Sequence, residues 1–257
     1  MAEQGGDETV LTDKVAVVYG AGGPIGGAVA RAFARENALV FLAGRSSAPL
    51  DAAVTEIRAA GGAAEAVQVD ALDEAAVDAF VDGVVDTAGR IDVSVNVISY
   101  GDVQKPLLEI SVDDLLRPID AAMRTHFLTT RAAARHMMAR GTGVVLAFGG
   151  SGPQTLPGLG GFKIALDALE GLRRQWACEL GRHGIRVVTI TTGGVPESVP
   201  ADFPGRDAIA GSIREATLLG RAATLADVGD VAAFLASDRA RTITASDVNI
   251  SCGAIVT

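Results

Sequence analysis

Short apolar runs separated by longer amphipathic stretches constrain this chain more than any other feature. The runs are Val15–Tyr19, Leu39–Ala43, Ala66–Val69, Val93–Ile98, Val144–Phe148, Val187–Thr191 and Val248–Ile250. They are rich in β-branched residues and mostly do not alternate with polar ones, the pattern of strands covered on both faces. Between them lie Ile25–Glu36, Pro49–Ala60, Glu74–Ala88, Val112–Arg140, Gly158–Gly181 and Leu225–Ser237, whose apolar residues recur with helical spacing. Repeated strand–helix–strand order predicts a doubly wound parallel sheet. In such a sheet ligands bind at the carboxyl ends of the strands, so functional residues are expected just after each run.

Composition narrows the classes of function. With 257 residues, 49% hydrophobic and 21% charged, the chain can bury a large core in one domain spanning 1–257. Aromatics are only 4%, which suits helices packed closely on a sheet through small side chains. A net charge of −9 and a pI near 4.8 argue against a nucleic-acid partner, since phosphate backbones call for a basic surface. No apolar run reaches the length of a membrane span. Residues 1–12 are polar and acidic, and read as a flexible tail rather than a secretory signal. Cys178 and Cys252 show no metal spacing and read as reduced thiols of a cytoplasmic protein. His126, His136 and His183 have neither metal nor triad spacing and read as helix-surface or helix-end residues.

After the first run comes Tyr19-Gly20-Ala21-Gly22-Gly23-Pro24-Ile25-Gly26-Gly27. A glycine turn between strand and helix lets the backbone approach a pyrophosphate, which the helix N-terminus meets with free N–H groups. Pro24 is compatible with a first helical position, where its missing N–H has no intrahelical partner. The second strand ends Leu42-Ala43-Gly44-Arg45. A site for NAD places a carboxylate there to hold the ribose 2′-hydroxyl; here Gly44 and Arg45 suit a 2′-phosphate, so NADP is the expected cofactor.

The glycine turn resembles the Thr-Gly-x-x-x-Gly-Ile-Gly loop of the short-chain dehydrogenase/reductase family, with Tyr19 in place of Thr and Pro24 in place of the middle Gly. Asp92-Val93-Ser94-Val95-Asn96-Val97-Ile98-Ser99 is similar to that family's Asp-x-x-Val-Asn-Asn-Ala-Gly segment; Asn96 is kept, while Val97 and Ser99 replace Asn and Gly. Phe127–Ala133 resembles the helix that follows it. Thr192-Gly193-Gly194-Val195 is similar to the Pro-Gly-x-Val turn that touches the nicotinamide carboxamide. Leu219-Gly220-Arg221 and Phe234–Asp238 match further signatures. The resemblance covers nearly the whole chain. It implies a single-domain Rossmann fold with a sheet of about seven strands and a homodimer or homotetramer paired through Val112–Arg140 and Gly158–Gly181, where Ala132, Ala133, Leu166 and Leu169 allow close packing. It also implies a substrate lid at 194–216 containing Pro196, Pro200 and Pro204. The cofactor residues carried over are Gly20, Gly22, Gly23, Pro24 and Ile25 at the phosphates; Gly44 and Arg45 at the ribose; Asp70 and Ala71 near the adenine; and Asn96, Val97, Ser99, Gly193 and Val195 toward the nicotinamide. Asp70 also suits a helix cap for the segment beginning at Asp73.

The same resemblance places the family's catalytic Tyr, Lys, Ser and Asn at Phe162, Leu166, Gly149 and Ala122. In this chemistry a Tyr gives its proton to the reduced carbonyl oxygen, and a Lys four residues on favours the phenolate. Among two tyrosines, Tyr19 is followed at that spacing by Gly23 and Tyr100 by Gln104, so Tyr-x-x-x-Lys occurs nowhere in the chain. Lys163 lies about 100° around the helix from Phe162. Tyr100, Ser99 and Ser151 are the nearby polar candidates, Ser151 reading better as a loop residue, and no catalytic residue is assigned. Two functions follow as expectations: an atypical NADP-dependent oxidoreductase of unknown substrate, or a non-catalytic nucleotide-binding sensor or partner subunit. A hydrolase or lyase lacks a nucleophile–base pair.

Overall fold

The computed structural model, which describes residues 9–149 and 155–256, turns the apolar runs into one parallel sheet. Its strands are β1 (Val15–Tyr19), β2 (Leu39–Gly44), β3 (Ala63–Gln68), β4 (Val93–Asn96), β5 (Gly143–Phe148), β6 (Ile185–Thr191) and β7 (Ser246–Asn249). The helices are α1 (Pro24–Arg35), α2 (Ser47–Ala59), α3 (Glu74–Ala88), α4 (Val112–Arg140), α5 (Gly160–Leu180), α6 (Arg206–Glu215) and α7 (Leu225–Ala236). The strand order is β3-β2-β1-β4-β5-β6-β7, and all neighbouring strands run parallel. The chain winds outward from β1 to β3, then returns and winds the other way from β4. That reversal is a topological switch point at the carboxyl ends of β1 and β4, the place where such sheets bind ligands.

Two apolar layers hold the helices to the sheet. On one face Val29, Phe33, Leu50, Ile57, Val228 and Leu235 pack on Val18, Leu42, Leu146 and Ile190. On the other, Val77, Val81, Ala133, Met137 and Leu180 pack on Val17, Phe41, Val145 and Val187. Among the described residues no helix is long and apolar enough to cross a membrane.

Boundaries agree best where a cap is written in the sequence. Helix α3 starts at Asp73, whose carboxylate accepts from Ala76 N, and stops at Gly89 in the left-handed region. Helix α4 starts at Ser111, whose hydroxyl accepts from Asp114 N, and stops at the left-handed Gly141. Helix α5 has no side-chain cap and starts at Gly160, two residues after the expected position. Strand β3 begins at Ala63 rather than Ala66: it is an edge strand of alternating burial, and the search for a doubly buried run missed its first half. Helix α6 was not expected at all, because it is short and none of its residues is buried.

The pairing residues expected on α4 and α5 need correction. Ala132, Ala133, Leu166 and Leu169 are buried inside the protomer, where the two helices meet each other and the sheet. The close approach depends on Gly161, where a Cβ would lie 1.9 Å from the Leu115 carbonyl oxygen. The apolar surface that α4 and α5 present outward is a shallow hollow of Met123, Phe127 and Leu172 rimmed by Asp120 and Arg124.

At the opposite end of the sheet from the crevice, buried Asp92 ties several elements together. One carboxylate oxygen accepts from Val15 N at 2.8 Å and Arg90 Nε at 2.9 Å; the other lies 3.4 Å from Arg140 Nη2 at the end of α4. Its backbone N–H donates to Val15 O, and its carbonyl accepts from Val144 N. One side chain thus registers β1, β4 and α4. Asp92→Ala removes the acceptor and leaves buried donors unpaired, so urea unfolding is expected to show a loss of about 3 kcal/mol. A loss below about 1 kcal/mol would place the registration in the backbone ladder instead.

Candidate functional site

The site is built outward from the β1–α1 turn. Gly20 has a φ of 81°, and a Cβ there would fall 2.9 Å from the Val97 carbonyl oxygen at the end of β4. Gly26, in the first turn of α1, sits so near the loop that a Cβ would lie 2.3 Å from Gly20 O. Both positions require glycine because backbone meets backbone. Gly20 N donates to Ala43 O at 2.9 Å, and Gly23 N to Gly20 O at 3.0 Å, so the turn is pinned to β2 and to itself. Gly23 is the N-cap and Pro24 the first helical residue, as the sequence implied. The first intrahelical bond runs from Gly27 N to Gly23 O. The amides of Ile25 and Gly26 therefore stand before any intrahelical acceptor and face the turn with the positive end of the helix. Gly22 and Gly23 are exposed above them.

Arg45 follows β2 and is exposed; among the described residues its guanidinium makes no ion pair, and its carbonyl accepts from Gln68 Nε2 at 2.8 Å. The adjoining Ser46 caps α2 without a side-chain hydrogen bond, leaving its hydroxyl beside the same helix start. This second polar group went unnoticed in the sequence, although Ser before an amphipathic stretch is an ordinary cap signal. Asp70 does not cap α3. Its Oδ1 accepts from Leu72 N at 3.0 Å in a local turn, and Asp73 takes the cap. Ala71 is buried behind it.

After β4, buried Asn96 donates to Thr129 Oγ1 at 3.2 Å and accepts from Ile98 N at 3.1 Å. Its side chain thereby fixes the path of Val97 and Ile98 against α4, and Ser99 emerges exposed. After β6, Gly193 packs where a Cβ would meet Ala254 at 2.6 Å. Val195 is buried, and Gly194, with φ 118°, lies under Ile213 of α6. Helix α6 thus folds back over the turn that follows β6.

The positions matched to the catalytic groups come together, but as an apolar patch. Ala122, Leu166 and Leu169 form one cluster with Tyr100, and Phe162 packs on its edge. Gly149 closes it: a Cβ there would lie 3.2 Å from Leu166 Cδ2 and 4.0 Å from Tyr100 Oη. Lys163 pairs with Asp167 at 2.5 Å. Ser151 lies outside the described residues.

His126 corrects its sequence reading. It is not at a helix surface; it is 5% exposed, on the face of α4 covered by Tyr100. Its Nε2 stands 3.1 Å from Tyr100 Oη, which also approaches Phe148 O at 3.5 Å. Burial pushes the imidazole down to about 3 and the phenol above its usual value, so both are neutral near pH 7. The long apolar covering of α4 hid this, since a lone His between Thr and Phe gives no sign of which face is enclosed. His136 is half-exposed and pairs with Asp82 at 2.8 Å, and His183 ends a short 3₁₀ turn, as read.

The comparisons with known proteins agree with this geometry. The family model described as enoyl-(acyl carrier protein) reductase, of the short-chain dehydrogenase class, matches residues 20–254. An uncharacterized oxidoreductase of Methylorubrum extorquens is 35% identical over 251 residues, covering 95% of this chain and 98% of that one. A short-chain type dehydrogenase/reductase from Mycobacterium ulcerans superposes with a TM-score of 0.88 at 25% identity, over 95% of this chain and 90% of that one. A 7α-hydroxysteroid dehydrogenase complexed with NADH and 7-oxo glycochenodeoxycholic acid gives 0.86 at 25% identity, over 97% of both chains. With the sheet order, the glycine turn and these matches in agreement, the chain belongs to the short-chain dehydrogenase/reductase family of oxidoreductases.

Proposed function

We propose that this protein is an atypical NADP(H)-dependent oxidoreductase of its family, lacking the usual Asn, Ser, Tyr and Lys. The family binds nicotinamide cofactors, and the residues present fit one. Side-chain-free Gly22 and Gly23 leave room above the amides of Ile25 and Gly26, a donor pair suited to a pyrophosphate. Gly20 and Pro24 set the path of that loop. Asp70 and Ala71 border the adenine end. Val97, Ser99, Gly193 and Val195 border the nicotinamide end, with Asn96 holding Val97 in place. When bound, the dihydronicotinamide supplies the hydride. The segment 194–216, with Ile213 on Gly194, is the lid over that end.

The observation that carries the choice of NADP is the exposed guanidinium of Arg45 beside Gly44, where a carboxylate would repel a 2′-phosphate. Arg45 can grip the phosphate in a forked, charge-assisted pair, and the Ser46 hydroxyl adds a donor. NADPH is expected to bind more tightly than NADH, and Arg45→Ala to cost NADPH about tenfold or more, with little change for NADH. Both are read by titrating cofactor fluorescence. Equal affinities in the unaltered protein would overturn the preference.

A second reading, a cofactor-binding sensor or inactive partner subunit, draws on the apolar character of the Ala122–Phe162–Leu166 cluster. In either case loss of the usual oxygen-stabilising donor typically costs ~10²–10³ in rate, so reduction of simple ketones is expected to be slow against ordinary family members. A flat NADPH-oxidation screen over ketones, enones and acyl thioesters, with NADPH binding intact, would favour the sensor.

Pairing of two copies is proposed through the outer faces of α4 and α5. Phe127 is 42% exposed, stacked on Trp176 with centroids 5.6 Å apart and capped by Arg131. Light scattering at micromolar concentration is expected to give a dimer or tetramer mass, and Phe127→Glu to lower it, because a buried unpaired carboxylate in that hollow is costly. A monomer mass in the unaltered protein would refute the pairing.

A further inference from the structure

We infer that Tyr100, held by His126, is the proton donor that serves carbonyl reduction in this protein. The inference rests on the reading of the chain as a nicotinamide-dependent oxidoreductase and goes further by naming the acid. Tyr100 follows β4, Gly149 follows β5 and His126 lies on α4, so three elements converge at the carboxyl edge of adjacent strands. Around them Ala122, Leu166, Leu169 and Phe162 are apolar, and Asn96 and Thr129 are bonded to each other. Among the described residues, Tyr100 Oη and His126 Nε2 form a polar pair enclosed by this patch.

Gly149 gives the hydroxyl its outlet. It is partly exposed, and the place its Cβ would occupy is 4.0 Å from Tyr100 Oη and 3.2 Å from the flexible end of Leu166, which a substrate entering there displaces. With no side chain there, a small oxygen lying over Gly149 can come within hydrogen-bonding reach of the phenol. The hydroxyl's alternative acceptor, Phe148 O at 3.5 Å, is at the outer limit of a hydrogen bond and competes weakly. His126 is neutral, so one ring nitrogen donates. With Nε2–H directed at Oη, the phenol proton is left pointing toward Phe148 O and the gap. Burial of the phenol keeps it in the protonated, donating form. An apolar pair would fill the same space at no desolvation cost, so packing alone does not call for a phenol–imidazole contact here.

The substrate class is a ketone or aldehyde whose neighbours are apolar, matching Phe162 and Leu166. During the step its carbon gains a C–H bond with the electron pair delivered by the dihydronicotinamide, and the C=O π pair moves to oxygen. That oxygen takes the Tyr100 proton as the Oη–H bond breaks. The phenolate, steadied by His126 Nε2–H, recovers a proton from water through the Gly149 gap once the alcohol leaves. Tyr100 is thus the catalytic residue and His126 the positioning residue.

The two tyrosines make a direct test practical. Protein labelled with ¹³C at the tyrosine ζ carbon gives two resonances, and Tyr100→Phe assigns them. Saturating acetophenone, added to the protein with NADP⁺, is expected to shift the Tyr100 signal and leave Tyr19 in place. In turnover of acetophenone with NADPH, Tyr100→Phe is expected to lower kcat by ~10²–10⁴ with KM little changed. His126→Leu is expected to lower kcat by at least about tenfold and to alter the solvent isotope effect, whereas His126→Gln, which keeps an N–H donor, restores most of the rate. An unmoved Tyr100 signal, an unimpaired Tyr100→Phe, or equal behaviour of the Leu and Gln variants would overturn the assignment. NADPH that binds while Tyr100 stays silent overturns the donor alone; NADPH that does not bind overturns the oxidoreductase reading beneath it.

Discussion

The contact on which the rest depends is backbone against backbone at the β1–α1 turn. Gly20 lies on the carbonyl of Val97, and Gly26 lies on the carbonyl of Gly20. These two approaches bring α1 down onto the sheet at the point where the strand order reverses. They leave the first-turn amides ahead of any intrahelical acceptor. A methyl at Gly26 would overlap a carbonyl oxygen that the flanking hydrogen bonds hold fixed, and neither helix nor strand could yield without loosening β1 from β4.

Much of that arrangement was legible in the sequence because the physics is local. A strand of Val and Ala, a glycine turn and Pro24 at a first helical position define the turn wherever the rest of the chain goes. Caps wrote the limits of α3 and α4 in the same way, through Asp73, Ser111, Gly89 and Gly141. The fold failed to announce itself where the signal depends on what covers an element. Strand β3 lies at an edge and α6 on the surface, so neither has the doubly apolar pattern that marked the interior. The same blindness gave Ala132, Ala133, Leu166 and Leu169 to an interface, when the protomer's own α4–α5 contact encloses them.

The candidate site divides along that line too. The residues at Gly20–Ile25, Gly44 and Arg45 follow from chain-local rules, and the structure sets them at the carboxyl ends of β1 and β2. The enclosed pair does not follow. Tyr100 and His126 are separated by 26 residues, and their meeting requires β4, α4 and β5 to be assembled first. What could have raised the question is the simultaneous loss of polar groups at Ala122, Gly149, Phe162 and Leu166, which leaves a crevice with little chemistry unless some distant residue enters it.

Apolar surroundings and a working phenol are compatible, and the reason lies in how each group's charge is disfavoured. A phenol beside an ammonium is made ready by attraction to its ionised form. In the cluster around Tyr100 no such cation is enclosed among the described residues, and burial acts in the opposite sense, holding the proton on. Such a phenol rests protonated, and its phenolate, though strongly basic, is scarcely populated near pH 7. It is a serviceable donor to an oxygen that has just become strongly basic, because proton transfer then runs downhill from a neutral acid to an alkoxide. The neutral imidazole supports this by donating to the phenolate without bringing a charge of its own into the cluster. Burial thus fixes the form the phenol holds at rest, the protonated one that can donate, while the overall direction stays with substrate and cofactor because a catalyst lowers the barrier both ways.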